Sequence, residues 1–273
     1  MSDHSVPHVV SPELFGLPGG DWLPVTAGES GAYVYRGTDG SRYAKCVPPA
    51  AVSQLSAERD RIAWLNGQGL PGARVLDWRS GDRGACLLTS TVPGVPADQL
   101  PAEELWSAWR HIADAVRRLH ELSILDCPFS RGLDSMAALA HDVVARDAVH
   151  PEFLPPEQRH TPPAELLARL TGRLDRVRQQ EPADTVVCHG DLCLPNIILD
   201  PTTLHVTGFI DLGRLGLADR HADLALLLTN ARETWPDESR ARAADSALTE
   251  HYGTPLDPDR LRFYLDLDPL TWG

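Results

Sequence analysis

The sequence predicts an α+β chain in two lobes, a small antiparallel sheet with one helix over residues 1–92 and a larger, mainly helical part over residues 93–273. Three observations predict it. Short β-rich runs separated by glycine turns occupy the first part of the chain, and the pattern changes at Pro93-Gly94. Beyond that point, long stretches repeat apolar residues at helical spacing.

Each element follows in order. WLPVTAGESGAYVYRG has an apolar start, a turn with Gly28, Glu29, Ser30 and Gly31, then the alternation Tyr33, Val34, Tyr35. Asp39-Gly40 is a hairpin signal, and SRYAKCV reads as the next strand. VSQLSAERDRIAWLNGQGL reads as a helix capped at Ser53 and ended near Gly67 or Gly69. Leu55, Glu58, Ile62 and Leu65 share one face of it, so Glu58 lies on the inward side, where a carboxylate is costly unless paired. ARVLDWRS and GACLLTSTVPG add a strand pair. PAEELWSAWRHIADAVRRLHEL then places Leu105, Trp109, Ile112, Val116 and Leu119 at core-facing helical positions. LDSMAALAHDVVARDAV and PPAELLARLTGRLDRVRQQ follow as helices, separated by a Pro-rich loop at residues 150–163.

Composition narrows the function. A chain of 273 residues, 42% hydrophobic, can bury a real core. No apolar run approaches the ~20 residues of a membrane span. The start MSDHSVPHVV lacks a basic then apolar signal, so a cytoplasmic chain is expected. Five scattered cysteines, an odd number, point to reduced thiols, and the spacing of Cys188, His189 and Cys193 matches no structural zinc pattern. The net charge of −13 argues against nucleic acid and favours a cationic partner, although ordinary solubility also accounts for it. The 25 basic residues comprise 24 Arg and one Lys, Lys45. Lysine differs from arginine in being a compact charge on a flexible stem, suited to a phosphate oxygen or a buried carboxylate, and Glu58 is its natural partner.

The most pointed stretch is VVCHGDLCLPNIILD, a polar turn between β-branched runs, with Asn196 five positions beyond Asp191. LHVTGFIDLGRLG follows, and Asp211 again stands at a strand end before a glycine. Two strands joined by a turn at residues 200–203 would bring Asn196 and Asp211 together with Asp191. An Asp, an Asn and an Asp make an oxygen-rich Mg²⁺ site with one carboxylate left to handle a hydroxyl proton.

HGDLCLPN resembles the catalytic loop of the aminoglycoside phosphotransferases and their kinase relatives, and FIDLGRLGLADRHADLA resembles their metal-binding segment. Lys45, Glu58, Asp191, Asn196 and Asp211 stand in the order of the kinase template, with Gly190 in place of its arginine and Ile210-Asp211-Leu212-Gly213 in place of Asp-Phe-Gly. The resemblance implies a bilobal protein-kinase-like fold with a nucleotide-binding first lobe and a catalytic, substrate-binding second lobe. It implies ATP as donor, with GTP not excluded, and Mg²⁺ held by Asn196 and Asp211. Ser30 would cover a phosphate, Lys45 held by Glu58 would bind phosphates, Tyr43 would stack on the adenine, and the backbone of Ser90, Thr91 and Val92 would hydrogen-bond the purine. Asp191 would be catalytic and His189 would brace the loop.

No Ala-Pro-Glu segment or long activation loop follows Asp211, so the acceptor is expected to be small. Asp191, Arg214, Glu233, Asp266 and Asp268 are the candidate contacts to a cationic aminoglycoside. DCPFSRGLDS, FIDLGRLGLADR and YLDLD resemble both the 3′ and the streptomycin 3″ groups of the family. The 3′ group commonly ends Asp-Glu-Leu-Phe, whereas this chain continues Asp268-Pro269-Leu270-Thr271, a departure that counts against its 2-deoxystreptamine acceptors. The overall similarity to the streptomycin 3″ group is the stronger resemblance, and it implies streptomycin at its 3″-hydroxyl as the acceptor and antibiotic resistance as the role. The alternatives are kanamycin or neomycin at the 3′-hydroxyl, another small-molecule kinase, and a nucleotide-binding pseudokinase module. A monomer without nucleic-acid or membrane partners is expected.

Overall fold

The computed structural model describes residues 12–17, 22–25 and 32–273. The chain divides into two compact units, Met1–Pro93 with Gly208–Gly213, and Gly94–Thr207 with Arg214–Gly273.

In the first unit, strands β1 (Trp22–Val25), β2 (Tyr33–Gly37), β3 (Arg42–Val47), β4 (Val75–Gly81) and β5 (Gly84–Ser90) form one antiparallel sheet in the order β1-β2-β3-β5-β4. The Asp39-Gly40 turn closes the β2–β3 hairpin, with Gly40 N donating to Gly37 O at 2.8 Å. Helix α1 (Val52–Gly67) connects β3 to β4 and buries Leu55, Glu58, Ile62 and Leu65, the face that helical spacing predicts. Its start departs from expectation. Ala51 is the N-cap, without a side-chain cap, and Ser53 lies inside the first turn. The chain enters through the 3-10 turn Pro49–Ala51, whose proline sets the helical φ without a capping hydroxyl. The expected Gly28, Glu29, Ser30 and Gly31 turn lies outside the described residues.

Alternation along β3 decides which side chains are available for chemistry. Ala44 and Cys46 point into a core with Leu17, Tyr35 and Cys86. Tyr43 and Lys45 therefore share the opposite, half-buried face. The segment carrying Asp211 is tied to the same unit by a parallel bridge between Gly72 and Phe209. Gly208 permits this approach, since a Cβ there would lie 2.9 Å from Gly72 Cα and 3.0 Å from Pro71 O.

The second unit holds β6 (Val95–Pro96), α2 (Ala102–His120), α3 (Leu133–Ala145), α4 (Pro163–Asp184), β7 (Thr185–Cys188), β8 (Ile197–Leu199), β10 (Gly216–Asp219), α5 (Arg220–Ala231), α6 (Glu238–Tyr252) and α7 (Pro258–Leu267). Strand β9 (Val206–Phe209) runs out of it into the Gly208–Gly213 segment. Leu105, Trp109, Ile112, Val116 and Leu119 of α2 are all buried, and Trp109 Nε1 donates to Ala244 O of α6 at 2.8 Å. Leu133 and Met136 of α3, Leu166 and Leu170 of α4, Ala225 of α5 and Phe263 of α7 belong to one apolar cluster. Two short pairings frame the VVCHGDLCLPNIILD stretch: β7 pairs with β10, and β8 lies between β6 and β9. Among the described residues no helix is long and apolar enough to cross a membrane.

Candidate active site

Lys45 projects from β3 onto the buried carboxylate of α1, with Nζ 2.8 Å from Glu58 Oε2 and 2.9 Å from Asp211 Oδ1. Glu58 is 8% exposed, so its charge needs this partner. Burial works against the Lys45 ammonium, but Glu58 and Asp211 outweigh it and its pKa is raised. Burial pushes the Glu58 carboxyl up; Lys45 opposes this and Asp211 adds to it. One ammonium between two carboxylates stays charged and is fixed in position. The Asp211 side chain is 44% exposed, and its backbone is held at φ 58°, a left-handed conformation that aspartate tolerates better than most residues.

The His189-Gly190-Asp191 turn is built separately, in the second unit. It follows β7, whose end is buried, and Asp223 of α5 accepts from two successive amides of the turn, His189 N at 2.6 Å and Gly190 N at 2.8 Å. His189 Nδ1 accepts from Asp191 N at 3.2 Å, which agrees with its expected bracing role. Gly190 has φ +85°, and a Cβ there would lie 2.1 Å from Arg214 O. No side chain fits, which explains why the arginine of the kinase template is absent. Asn196 Nδ2 donates to Asp191 O at 2.9 Å and to Asp191 Oδ2 at 3.1 Å. These bonds use the amide nitrogen, so Oδ1 is the hard oxygen left to a cation.

The remaining predicted residues fall into three groups. Tyr43 and Val92 belong to the first unit, where Tyr43 is half-buried beside Lys45 on β3 and Val92 packs at Gly208. Ser90 does not offer its amide, because Ser90 N donates to Arg74 O at 2.8 Å and Thr91 N to Ser41 O at 2.9 Å. Those two donors are committed within the first unit. Ser30 lies outside the described residues. Glu233 is exposed in the turn after α5. Asp266 is paired with Arg262 at 3.2 Å and accepts from Gln158 Nε2 at 3.1 Å. Asp268, 7% exposed, is not an open carboxylate: it is 3.0 Å from Arg131 Nη2, accepts from Trp272 Nε1 at 3.0 Å and lies 3.6 Å from Arg214. Arg214 itself donates to Thr271 Oγ1 at 2.8 Å and stacks on Trp272. Asp268 thereby ties the C-terminal tail to Arg131.

Comparison with known proteins decides the family. Residues 21–264 match the model of the phosphotransferase enzyme family. The chain belongs to that family. A streptomycin 3″-kinase of Streptomyces griseus is 71% identical over the full length of both chains. An aminoglycoside 3′-phosphotransferase of Streptomyces fradiae is 42% identical, over 92% of this chain and 95% of that one. The structure of aminoglycoside phosphotransferase APH(3″)-Id from Streptomyces rimosus in complex with ADP and streptomycin is similar with a TM-score of 0.89 and 63% identity, covering 93% of this chain and 95% of that one. Within the phosphotransferase family the chain is an aminoglycoside phosphotransferase, with the kinase-like α+β fold of these neighbours.

The residue of this phosphotransferase that sequence reasoning missed is Asp223. It is fully buried, and His120 Nε2 lies 3.1 Å from its Oδ2, while His120 Nδ1 lies 2.8 Å from Tyr252 OH. The missed signal is a carboxylate inside the apolar run ADLALLL, the same anomaly that singled out Glu58. Among the described residues, His120, Cys188 and Asp223 form the one cluster with metal-ligand chemistry, and its donors are already committed. Asp223 serves two amides and His120, and the Cys188 thiol, pushed up by burial, donates weakly toward Asp219 O at 3.5 Å. None of the five cysteines is in a disulfide.

Proposed function

We propose that this phosphotransferase moves the γ-phosphoryl group of ATP to the 3″-hydroxyl of streptomycin, in the cytoplasm and as a monomer, and so confers resistance to the antibiotic. The observation that carries the reading is the 71% full-length identity to a streptomycin 3″-kinase, together with an active-site loop whose Asp191 is oriented by Asn196. The Asp268-Pro269-Leu270-Thr271 tail, braced by Arg131 and Arg214, supports 3″ over 3′ acceptors.

In this reading Lys45 binds phosphate oxygens as a fixed point charge, kept in place by Glu58. Tyr43 stacks on the adenine, the Val92 amide donates to the purine, and Ser30 covers a phosphate. Asp191 accepts a hydrogen bond from the acceptor hydroxyl and takes its proton as the phosphoryl group transfers. Asn196 Oδ1 and the Asp211 carboxylate are hard oxygen donors that fit Mg²⁺. Bound there, the ion would supply charge neutralisation for the phosphates. Glu233 and Asp266 attract the guanidinium groups of the substrate, with the −13 net charge assisting encounter.

The test is ATP consumption by the full chain with streptomycin and with kanamycin in parallel. Turnover with streptomycin and not kanamycin supports the reading; turnover with kanamycin alone, or with neither, overturns it.

A further inference from the structure

We propose that the cleft between α2 and the β8–β9 turn binds a phosphate-class oxyanion, held by His111 and His205 with Arg110 and Arg118. It uses none of the residues assigned to phosphoryl transfer. The cleft has a volume of about 470 Å³ and is lined by Arg110, His111, Asp114, Arg117, Arg118 and His205. In a chain of net charge −13, this lining carries three guanidiniums and two imidazoles against one carboxylate. That carboxylate is already shared, lying 3.8 Å from Arg110 Nε and 3.4 Å from Arg117 Nη2.

The two imidazoles carry the argument. The His111 and His205 rings stack with centroids 4.0 Å apart at 30°. His205 Nδ1 lies 3.0 Å from Thr203 O and donates to it, which leaves Nε2 for a ligand. Two protonated rings in contact repel, and the neighbouring arginines add to that repulsion. Burial, His205 and Arg110 depress the His111 pKa, with Asp114 opposing. A tetrahedral dianion removes the conflict: it accepts hydrogen bonds in several directions and offsets the charge of both rings. A cation would be repelled, and an apolar ligand would leave the guanidiniums unsolvated. Because Arg110 is largely exposed, affinity should be modest and screened by salt.

The experiment is a titration of the histidine ring resonances of the full chain by NMR from about pH 5 to pH 8, spanning the imidazole range. Sulfate serves as a probe whose own charge is constant there, against chloride at matched ionic strength, and His111→Gln and His205→Gln assign the signals. The expected result is that the His111 midpoint rises by about half a unit or more in sulfate, as a nearby opposite charge dictates. The rise should vanish in an Arg110→Ala, Arg118→Ala double variant whose phosphotransferase rate is unchanged. An equal rise with glycerol phosphate extends the site to phosphate esters; a rise with inorganic phosphate but not the ester confines it to the free ion. Identical midpoints in sulfate and chloride, or a rise that survives loss of both arginines, overturns the proposal.

Discussion

Asn196 holds Asp191 at two points: its Nδ2 donates to the Asp191 main-chain carbonyl at 2.9 Å and to Oδ2 at 3.1 Å. One amide thus fixes both the backbone and the carboxylate of the proposed base. Asp191→Ala should lower kcat by about 10²-fold or more, the range for loss of a general base, while nucleotide affinity measured by calorimetry stays within a few-fold. Asn196→Ala should lower kcat and also weaken the dependence on Mg²⁺, which a titration of rate against Mg²⁺ reads directly.

Lys45 is the second point of control. Lys45→Arg replaces a point charge with a planar fork beside Glu58 and Asp211, and the KM for ATP should rise about tenfold, the scale of one lost charge-assisted hydrogen bond. Glu58→Gln should raise it in the same direction by releasing Lys45. An unchanged KM in both variants would remove Lys45 from the nucleotide site.

Gly190→Ala forces a Cβ to within 2.1 Å of Arg214 O at a φ of +85°. The turn must move, so denaturant unfolding should report a loss of about 1–3 kcal/mol, with activity lost beyond what the stability change explains.

Acid stability provides a prediction with a definite sign. Burial raises the Asp223 carboxyl, but the hydrogen bond and charge of His120 and the Gly190 amide outweigh it and hold the pKa below the ordinary 3.8. A carboxylate depressed on folding contributes stability above its unfolded pKa and loses it as pH falls through the folded value. The Tm of the wild type should therefore fall on acidification below about pH 4. Asp223→Asn should lower Tm at neutral pH and flatten that part of the profile.

Much of this was legible in the chain because burial leaves a periodic trace. Glu58 fell on an apolar helical face, and the structure buries it against the only lysine. Asp191 and Asn196 stood out as polar residues between β-branched runs. Asp223 carried the same kind of signal within α5 and was passed over, since nothing local shows that a helix carboxylate will meet amides more than thirty residues away. The pairing of Asp268 with Arg131, 137 residues distant in sequence, is likewise invisible locally. Ser53 looked like a cap, but the Pro49 turn starts the helix without it. The bond from Ser90 N to Arg74 O is one that strand composition alone does not define.

The most direct measurement is the position of the phosphate on the product. The full chain is incubated with Mg-ATP and streptomycin, and the product is examined by phosphorus and proton NMR. A single phosphate coupled to the 3″ proton is the predicted result. A phosphate at any other hydroxyl, or unmodified streptomycin after prolonged incubation, would contradict the account.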